Sequence, residues 1–267
     1  MLTFVTTPIG NLQDITLRAL DAIFEADVIL CEDTRVSKRL IELLSQKFDR
    51  PKKEQQFISL HSHNEDEKLK SFDNRFFEKN VIYMSDAGMP CISDPGSKLV
   101  AYAQEHTIEY DFLPGANAAT LAYGMSGFEE TSFTFYGFLP IKNDKRLTEL
   151  EKIMSSDTNT ILYESPHRIE KLIDEIVAID GTREVFVAKE LTKLHQFTLK
   201  TNGNKLKESI KNYKGEWVVI IQSKPQTTLS ISHQEIKKMD IPPKVKAKLL
   251  SFMDGIPTKE WYKELTN

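Results

Sequence analysis

The sequence has few of the features that assign a protein to a class at first reading. Its two cysteines, Cys31 and Cys91, lie far apart in apolar surroundings, which is typical neither of a zinc cluster nor of a disulfide framework. No uninterrupted apolar run reaches the ~18 residues of a membrane-spanning helix, and no basic flank precedes the short apolar run at the amino terminus. We therefore expect a cytoplasmic protein with reduced thiols, without a secretory signal or a membrane span.

The sequence also lacks the short motifs of common ligand sites. It contains neither GxGxxG, nor GxxxxGK followed by Ser or Thr, nor GxSxG, which disfavours dinucleotide, nucleoside-triphosphate and serine-hydrolase chemistry. His61 and His63 have no third ligand nearby, so we expect no metal site. Because the net charge is -4 at pH 7, any nucleic-acid surface would have to be a local basic patch.

The first part of the chain alternates short β-rich runs with amphipathic helices, a pattern that predicts a parallel sheet with right-handed crossovers. We place the first helix at residues 15–26, with Asp14 as its N-cap. Loops that follow parallel strands gather at one edge of the sheet, where α/β proteins bind ligands. The five predicted strands are residues 2–6, 28–31, 57–60, 81–84 and 108–112.

The loop after the fourth strand is the most informative segment. Residues 85–96, SDAGMPCISDPG, hold two Asp, two Gly and two Pro, in a chain with only 11 Gly. These residues break both strand and helix, and long ordered loops in compact domains are usually functional. We expect this loop to carry a ligand site, with an ordinary long turn as the alternative.

From residue 127 the strands lie closer together, which predicts a second domain with a mixed sheet. PQTTLSISHQ has the composition of a linker, and two or three short helices follow it, with Pro242, Pro243 and Pro257 at their starts. The predicted α/β architecture is a parallel five-stranded domain, a mixed α/β domain and a small helical extension. Their boundaries are 1–113, 114–224 and 229–267.

Seven separate motifs then resemble one family in order and spacing. They are TTPIGN with LRAL, CEDTR, HSHNE, SDAGMPCISDPG, FLPGANA, YESPHRI and AKELTKLH. Together they resemble the family of ribosomal RNA small subunit methyltransferase I, of the tetrapyrrole (precorrin) methylase superfamily. The resemblance implies a two-domain tetrapyrrole-methylase fold and a homodimer. It also implies transfer of a methyl group from S-adenosylmethionine to the 2′-hydroxyl of a cytidine ribose in small-subunit (16S) rRNA.

The resemblance also implies where the cofactor lies. In the superfamily, the loop after the fourth strand lines the cofactor site, and here residues 86–89 occupy it, with Met89 where the family has Thr. S-adenosylmethionine carries no phosphate, so the missing phosphate-binding loop is consistent with it. The residues expected to contact or shape the cofactor site are Pro8, Gly10, Asp86, Gly88, Met89, Asn117, Ala118, Tyr163 and Ala188.

An acceptor hydroxyl is a poor nucleophile, so a base positioned beside it would help the transfer. Glu164, Asp33 and Glu190 are the candidate catalytic residues, with Glu32 as a further acid on the same edge. Each lies near a cation in the sequence, and a purely structural ion pair remains the alternative for every one of them.

RNA binding requires local positive charge. Residues 189–214 carry seven lysines against two glutamates, although a solvated charged face is the usual meaning of such a run. The residues expected to contact the RNA are Arg35, His61, His63, Arg168, Lys189 and Lys193, the histidines alternatively serving a helix cap. Two other functions stay open, a tetrapyrrole methyltransferase and a non-catalytic RNA-binding assembly factor.

Overall fold

The computed structural model describes residues 1–224 and 231–266. The chain divides into two compact units, residues 1–224 and 225–267. The first unit contains two β-sheets, and the described part of the second is helical. The described residues do not include 225–230 or 267. The first six residues of the predicted linker and the predicted start of the extension, at residue 229, therefore lie outside them.

The first sheet is parallel and has the strand order β3-β2-β4-β1-β5. Continuous apolar runs such as Val81–Met84 are buried on both faces, as expected of strands covered by helices on either side. The parallel five-stranded sheet is confirmed. Its strands are β1 (Leu2–Val5), β2 (Val28–Cys31), β3 (Gln56–Ser59), β4 (Val81–Met84) and β5 (Tyr110–Leu113), and its helices are α1 (Leu17–Glu25), α2 (Thr34–Phe48), α3 (Glu65–Ser71) and α4 (Ser97–Glu105).

Asp14 is not the N-cap of the first helix. Thr16 caps α1, because its hydroxyl accepts a hydrogen bond from the Ala19 N–H at 3.1 Å. Asp14 instead ends a single 3-10 turn that Asn11 caps. The prediction was wrong because the 3-10 turn takes up residues 12–14, so that the helix begins at Leu17, two residues later than predicted.

The second sheet is mixed, with the order β6-β7-β10-β8-β9, in which only β6 and β7 run parallel. The sequence reading missed β9, an edge strand whose polar sequence FTLKTN has few apolar residues. The elements are α5 (Ala118–Ser126), β6 (Phe133–Phe138), α6 (Asn143–Met154), β7 (Asn159–Glu164), α7 (Ile169–Asp180), β8 (Glu184–Lys189), β9 (Phe197–Asn202), α8 (Gly203–Ser209) and β10 (Trp217–Ile221).

Helix α5 links the two sheets. It follows β5 of the first sheet but packs against the second, where Ala119 and Ala122 lie against Ile161, Phe186 and Ile220. Alanine at these positions allows the helix to approach the strands closely, since it adds little volume. The opposite face of the second sheet is covered by α6, α7 and α8. The loops of the first sheet therefore lie next to one end of the second.

The second unit is a small helical extension, as the prolines predicted. It consists of α9 (His233–Lys238), α10 (Pro243–Asp254) and α11 (Thr258–Thr266), packed around Ile236, Ala247, Leu250 and Trp261. Pro243 begins α10, and Pro257 directly precedes α11. In the described ranges of both units, no helix is long and apolar enough to span a bilayer.

Candidate active site

The loops at the carboxyl edge of the first sheet are joined to one another by hydrogen bonds. Thr7, after β1, and Gly88, after β4, exchange two backbone hydrogen bonds of 2.9 and 3.1 Å. The backbone N–H of Asp33, after β2, donates to a carboxylate oxygen of Asp86 at 3.3 Å. The predicted convergence of these loops is therefore realised around residues 85–96.

This loop adopts an unusual backbone. Gly88 and Gly96 have φ values of +83° and +119°, and the non-glycine residues Cys91 and Ser93 also lie in the left-handed region, at 68° and 64°. Left-handed non-glycine residues are costly, and they concentrate at binding and catalytic sites. Four residues of this loop thus lie in the left-handed region, and its role in ligand binding stays a prediction.

Three adjacent strands of the second sheet, β7, β10 and β8, each have one end beside this loop. Because β10 is antiparallel to both neighbours, its first residues lie beside the last residues of β7 and β8. The register pairs Tyr163 and Ala188 with Val218, and Glu164 and Lys189 with Trp217.

The loops of the two sheets also contact each other directly. The Asn11 N–H donates to the Thr192 hydroxyl at 3.0 Å. A Cβ built on Gly10 would lie 2.5 Å from Cγ of Lys193 and 2.9 Å from the carbonyl oxygen of Leu191. Glycine at position 10 therefore lets the loop after β1 close against the loop after β8.

Gly10→Ala is expected to lower the free energy of unfolding by roughly 1–3 kcal/mol, because the added methyl group overlaps the facing loop. Gly124→Ala is the matched control, since a Cβ on this α5 residue meets nothing within 4 Å, and alanine stabilises helices by up to about 1 kcal/mol relative to glycine. Urea unfolding of the two variants measures both effects. Equal stabilities would contradict the close contact at Gly10.

A cavity of about 420 Å³ lies between these loops and the second sheet. Its apolar wall includes Ile9, Ile92, Leu191 and Val218. The predicted site residues that line it are Asp86, Gly88, Met89, Asn117, Ala118, Tyr163, Glu164 and Lys193.

The other predicted residues lie behind or outside the wall. Pro8 and Ala188 are buried next to it, and Gly10 closes the loop contact described above. Asp33 touches Asp86, whereas the Arg35 side chain points into solvent. The remaining predicted residues outside the wall are His61 and His63 after the edge strand β3, Lys189 and Glu190 at the end of β8, and Arg168 before α7. The roles of all these residues stay predictions.

Glu164 is buried with both carboxylate oxygens engaged. One oxygen accepts from the Ser165 N–H at 2.8 Å and lies 2.8 Å from the Arg168 guanidinium. The other lies 3.0 Å from Arg146, which also donates to Glu175 at 2.8 Å. These ion pairs fasten α6 and α7 to the end of β7, which is the geometry of a structural anchor.

Asp33 and Glu190 are also tied to cations. Arg35 lies 2.7 Å from Asp33, and its hydrogen bonds lower the pKa of that carboxyl to about 2. Burial works to raise the pKa of Glu190, but the Glu216 N–H and the Lys193 ammonium at 3.1 Å outweigh it, and the pKa is lowered. Neither carboxylate has the geometry of a ready proton acceptor.

Asp94 is the acid that the sequence reading missed. It lines the cavity, and burial together with the nearby Glu32 and Asp86 charges raises its pKa to about 7. Burial also raises the pKa of Asp86. It raises the pKa of Glu32 as well, and repulsion from the Asp86 charge adds to that increase. The signal in the sequence was the second aspartate of the Gly- and Pro-rich residues 85–96.

Several lysines of residues 189–214 already interact with acidic or aromatic side chains, so less positive charge is available there than the composition indicated. Lys193 pairs with Glu190 and Glu216, and Lys200 and Lys207 pair with Glu184 and Asp174. Lys189 lies over the Phe197 and Trp217 rings. The lysines of this run that are exposed and make no ion pair with another described residue are Lys205, Lys211 and Lys214.

Over residues 1–224 and 231–266, no cluster of three or more His, Cys, Asp or Glu side chains has the arrangement of a metal site.

Comparison with known proteins gives a consistent assignment. The family model of tetrapyrrole (corrin/porphyrin) methylases matches residues 1–207. The ribosomal RNA small subunit methyltransferase I of Campylobacter fetus is 45% identical over 269 residues, covering 99% of both chains. The protein of the same name from Helicobacter pylori strain J99 is 42% identical, covering 98% of this chain and 96% of its own.

Solved structures share the fold at low sequence identity. Cobalt precorrin-4 methyltransferase is 18% identical with a TM-score of 0.56, covering 83% of this chain and 94% of its own. Diphthine synthase is 17% identical with a TM-score of 0.57, covering 83% and 89%. Uroporphyrin-III C-methyltransferase from Thermus thermophilus, complexed with S-adenosylhomocysteine, is 13% identical with a TM-score of 0.57, covering 82% and 96%. The two sheets, the family model and the 42–45% sequence identity over nearly the whole chain lead to one conclusion. This chain belongs to the ribosomal RNA small subunit methyltransferase I family of tetrapyrrole methylases.

Proposed function

We propose that the protein transfers a methyl group from S-adenosylmethionine to the 2′-hydroxyl of a cytidine ribose in small-subunit rRNA. The observation that carries the proposal is the cavity between the two sheets, which combines an apolar wall with two aspartates, Asp86 and Asp94. The names of the sequence relatives support the rRNA substrate, and the resemblance of the motifs supports the cytidine ribose.

The residues of the cavity fit S-adenosylmethionine. Its volume lies within the range of small-molecule sites. Ile9, Leu191 and Val218 offer apolar surface for an adenosyl group, and Asp86 offers negative charge for the ammonium. Gly88, at φ +83°, presents backbone without a side chain. The bound donor supplies an electrophilic methyl group.

A phosphate-bearing ligand fits the same cavity poorly. Lys193 is the one cationic side chain among the described residues that line it, and Glu190 and Glu216 already neutralise its charge. Among side chains, arginine and lysine are the usual partners of phosphate groups. This charge pattern supports a phosphate-free donor over a nucleotide.

The protein's main contribution to the reaction is alignment. Correct positioning of two reactants supplies on the order of 7–11 kcal/mol of the barrier reduction. The anchored end of β7, with Glu164 held by Arg146 and Arg168, fixes one wall of the cavity. The loop contact at Gly10 holds the loop after β1 against the loop after β8.

In this proposal the RNA contacts the exposed lysines before β10 and the exposed Arg35. Lys211 and Lys214 flank Asn212, whose carbonyl oxygen accepts a hydrogen bond from Lys189 at the end of β8, and the Arg35 guanidinium pairs with Asp33 beside Asp86. Phosphate contacts of this kind raise affinity and make it dependent on salt.

S-adenosylmethionine at 100 times its Kd is expected to stabilise the protein by about 2.7 kcal/mol, because it binds the folded state only. Thermal unfolding with and without the compound measures this. S-adenosylhomocysteine should also stabilise the protein, and ATP at the same concentration is the control that should not. Absence of any shift would favour a non-catalytic RNA-binding factor.

Mass mapping of ribose methylation in small-subunit rRNA tests the substrate. Cells that lack the gene should lose one methyl group on a cytidine ribose, and a plasmid copy should restore it. An unchanged pattern would contradict the rRNA proposal, and a tetrapyrrole methylase would become the better alternative.

The arrangement of the protein in the cell is also part of the proposal. We propose a cytoplasmic homodimer, for which the exposed apolar side chains Leu121 and Met125 on α5 offer an interface. We also propose three domains, 1–113, 114–224 and 229–267, the last assisting RNA binding through its lysines. Light scattering of the purified protein tests the dimer.

A further inference from the structure

Four carboxylates line the cavity in the described chain, and they differ in their partners. Glu164 is held by two arginines, and Glu216 lies 2.7 Å from Lys193. Asp86 and Asp94 form no ion pair with any described residue. A carboxylate that already holds a cation is a weak proton acceptor, because the cation stabilises the charge that protonation would remove. Only the two aspartates remain as candidates for a proton-transfer role.

The two aspartates have different surroundings. Asp86 follows β4 directly and accepts a hydrogen bond from the Asp33 N–H. Asp94 lies at the far end of the same loop, directly after Ser93, whose left-handed backbone turns the chain. Near it lie Glu32, Asp86 and, from the second sheet, Tyr163. Asp94 is thus partly buried among groups of its own charge.

We propose that Asp94 is the general base of the methyl transfer. This assignment rests on the proposed function, since it requires an acceptor hydroxyl in the cavity. The hydroxyl oxygen forms its bond to the methyl carbon as the bond between that carbon and sulfur breaks, and sulfur keeps the electron pair. The hydroxyl proton passes to a carboxylate oxygen of Asp94 and from there to solvent, which restores the carboxylate.

The electrostatic surroundings suit this role. A base is most effective when its pKa lies near the working pH, and burial followed by the Glu32 charge raises the pKa of Asp94 to about 7, while the Ser85 hydroxyl acts in the opposite direction. The titratable groups that face it are Glu32 after β2, Tyr83 of β4, Asp86 and Cys91 of its own loop, and Tyr163 of β7.

Asp94→Asn is the direct test, because asparagine has nearly the same shape but cannot accept the proton. The single-turnover rate of RNA methylation at saturating S-adenosylmethionine should fall at least about 100-fold. The Kd for S-adenosylmethionine by calorimetry should change by less than about threefold. The wild-type rate should rise with pH through the pKa of Asp94, and the residual rate of the variant should lose that dependence.

A second readout needs no turnover. The folded-state pKa of Asp94, about 7, exceeds the 3.8 of an unperturbed aspartate, so ionisation of Asp94 destabilises the folded protein as pH rises between these values. The melting temperature of cofactor-free Asp94→Asn should therefore exceed that of the wild type, by a margin that grows from about pH 4 to about pH 7 and stays constant above that. Asp157→Asn, at an exposed aspartate between α6 and β7, is the matched control and should change neither rate nor the pH dependence of melting.

Each outcome decides the assignment. A wild-type rate in Asp94→Asn overturns it while leaving the proposed function intact. A rate loss matched by an equal loss of affinity would overturn it in favour of a cofactor-binding role. Failure of the wild type itself to methylate the RNA would overturn the proposed function, and the assignment with it.

Discussion

Replacing Arg146 by methionine is expected to lower the free energy of unfolding by about 3–5 kcal/mol, the usual cost of removing one partner from a buried ion pair. The Arg146 side chain is 1% exposed and joins Glu164 of β7 to Glu175 of α7. Methionine fills similar volume but leaves the buried Glu164 charge with Arg168 as its one cationic partner among the described residues. Urea or guanidinium unfolding measures the loss.

The same helix provides the control. Lys152→Met removes the pair between Lys152 and Glu149 on α6, which lies at the surface, and such pairs are worth less than about 1 kcal/mol. The double variant Arg146→Met with Glu164→Met should recover part of the loss, because both charges are then absent. If Arg146→Met and Lys152→Met are equally stable, the buried network does not anchor β7.

Asp86→Asn is expected to weaken S-adenosylmethionine binding roughly 10- to 100-fold, since a charge-assisted hydrogen bond contributes about 1.5–3 kcal/mol. The stability of the ligand-free protein should change in the opposite direction. Burial, with the nearby Asp33 charge adding to it, raises the pKa of Asp86 above its usual value. The ionised carboxylate therefore destabilises the folded state at neutral pH, and asparagine removes that cost. Calorimetry and thermal melting of one preparation measure both effects.

Asp66→Asn is the matched substitution at an exposed aspartate that pairs with Lys98. It should leave affinity unchanged and alter stability by less than about 1 kcal/mol. Asp86→Asn also removes a charge that raises the pKa of Asp94, so the pH dependence of methylation should move to lower pH. Unchanged affinity in Asp86→Asn would show that this carboxylate does not contact the cofactor.

Much of the fold could be predicted from the sequence, because most strands and helices are marked by the composition of their own residues. Apolar runs such as Val81–Met84 predicted buried strands, and the helices between them predicted a parallel sheet. Pro243 and Pro257 located two helices of the extension. The edge strand Phe197–Asn202 escaped because its pairing with β8, and not its own composition, makes it a strand.

Only part of the candidate site could be predicted from the sequence. The loop 85–96 was identified, because Gly and Pro mark loops through their own backbone preferences. Sequence proximity also gave ion pairs between near neighbours, such as Asp33 with Arg35 and Glu164 with Arg168. It did not give Arg146 as a partner of Glu164, or Lys193 as a partner of Glu216, because these contacts join residues far apart in the chain.

By itself, the sequence determined the order of most strands and helices, the position of the Gly- and Pro-rich loop 85–96 and the family, since these depend on local composition and on motifs in fixed order. Only the tertiary structure decided which acids at the cavity are neutralised and which remain free. The charge state of a carboxylate depends on distance to cations and on burial, and both are set when distant segments pack together. That is why Asp94, with no notable neighbour in the sequence, becomes the cavity acid with a pKa of about 7.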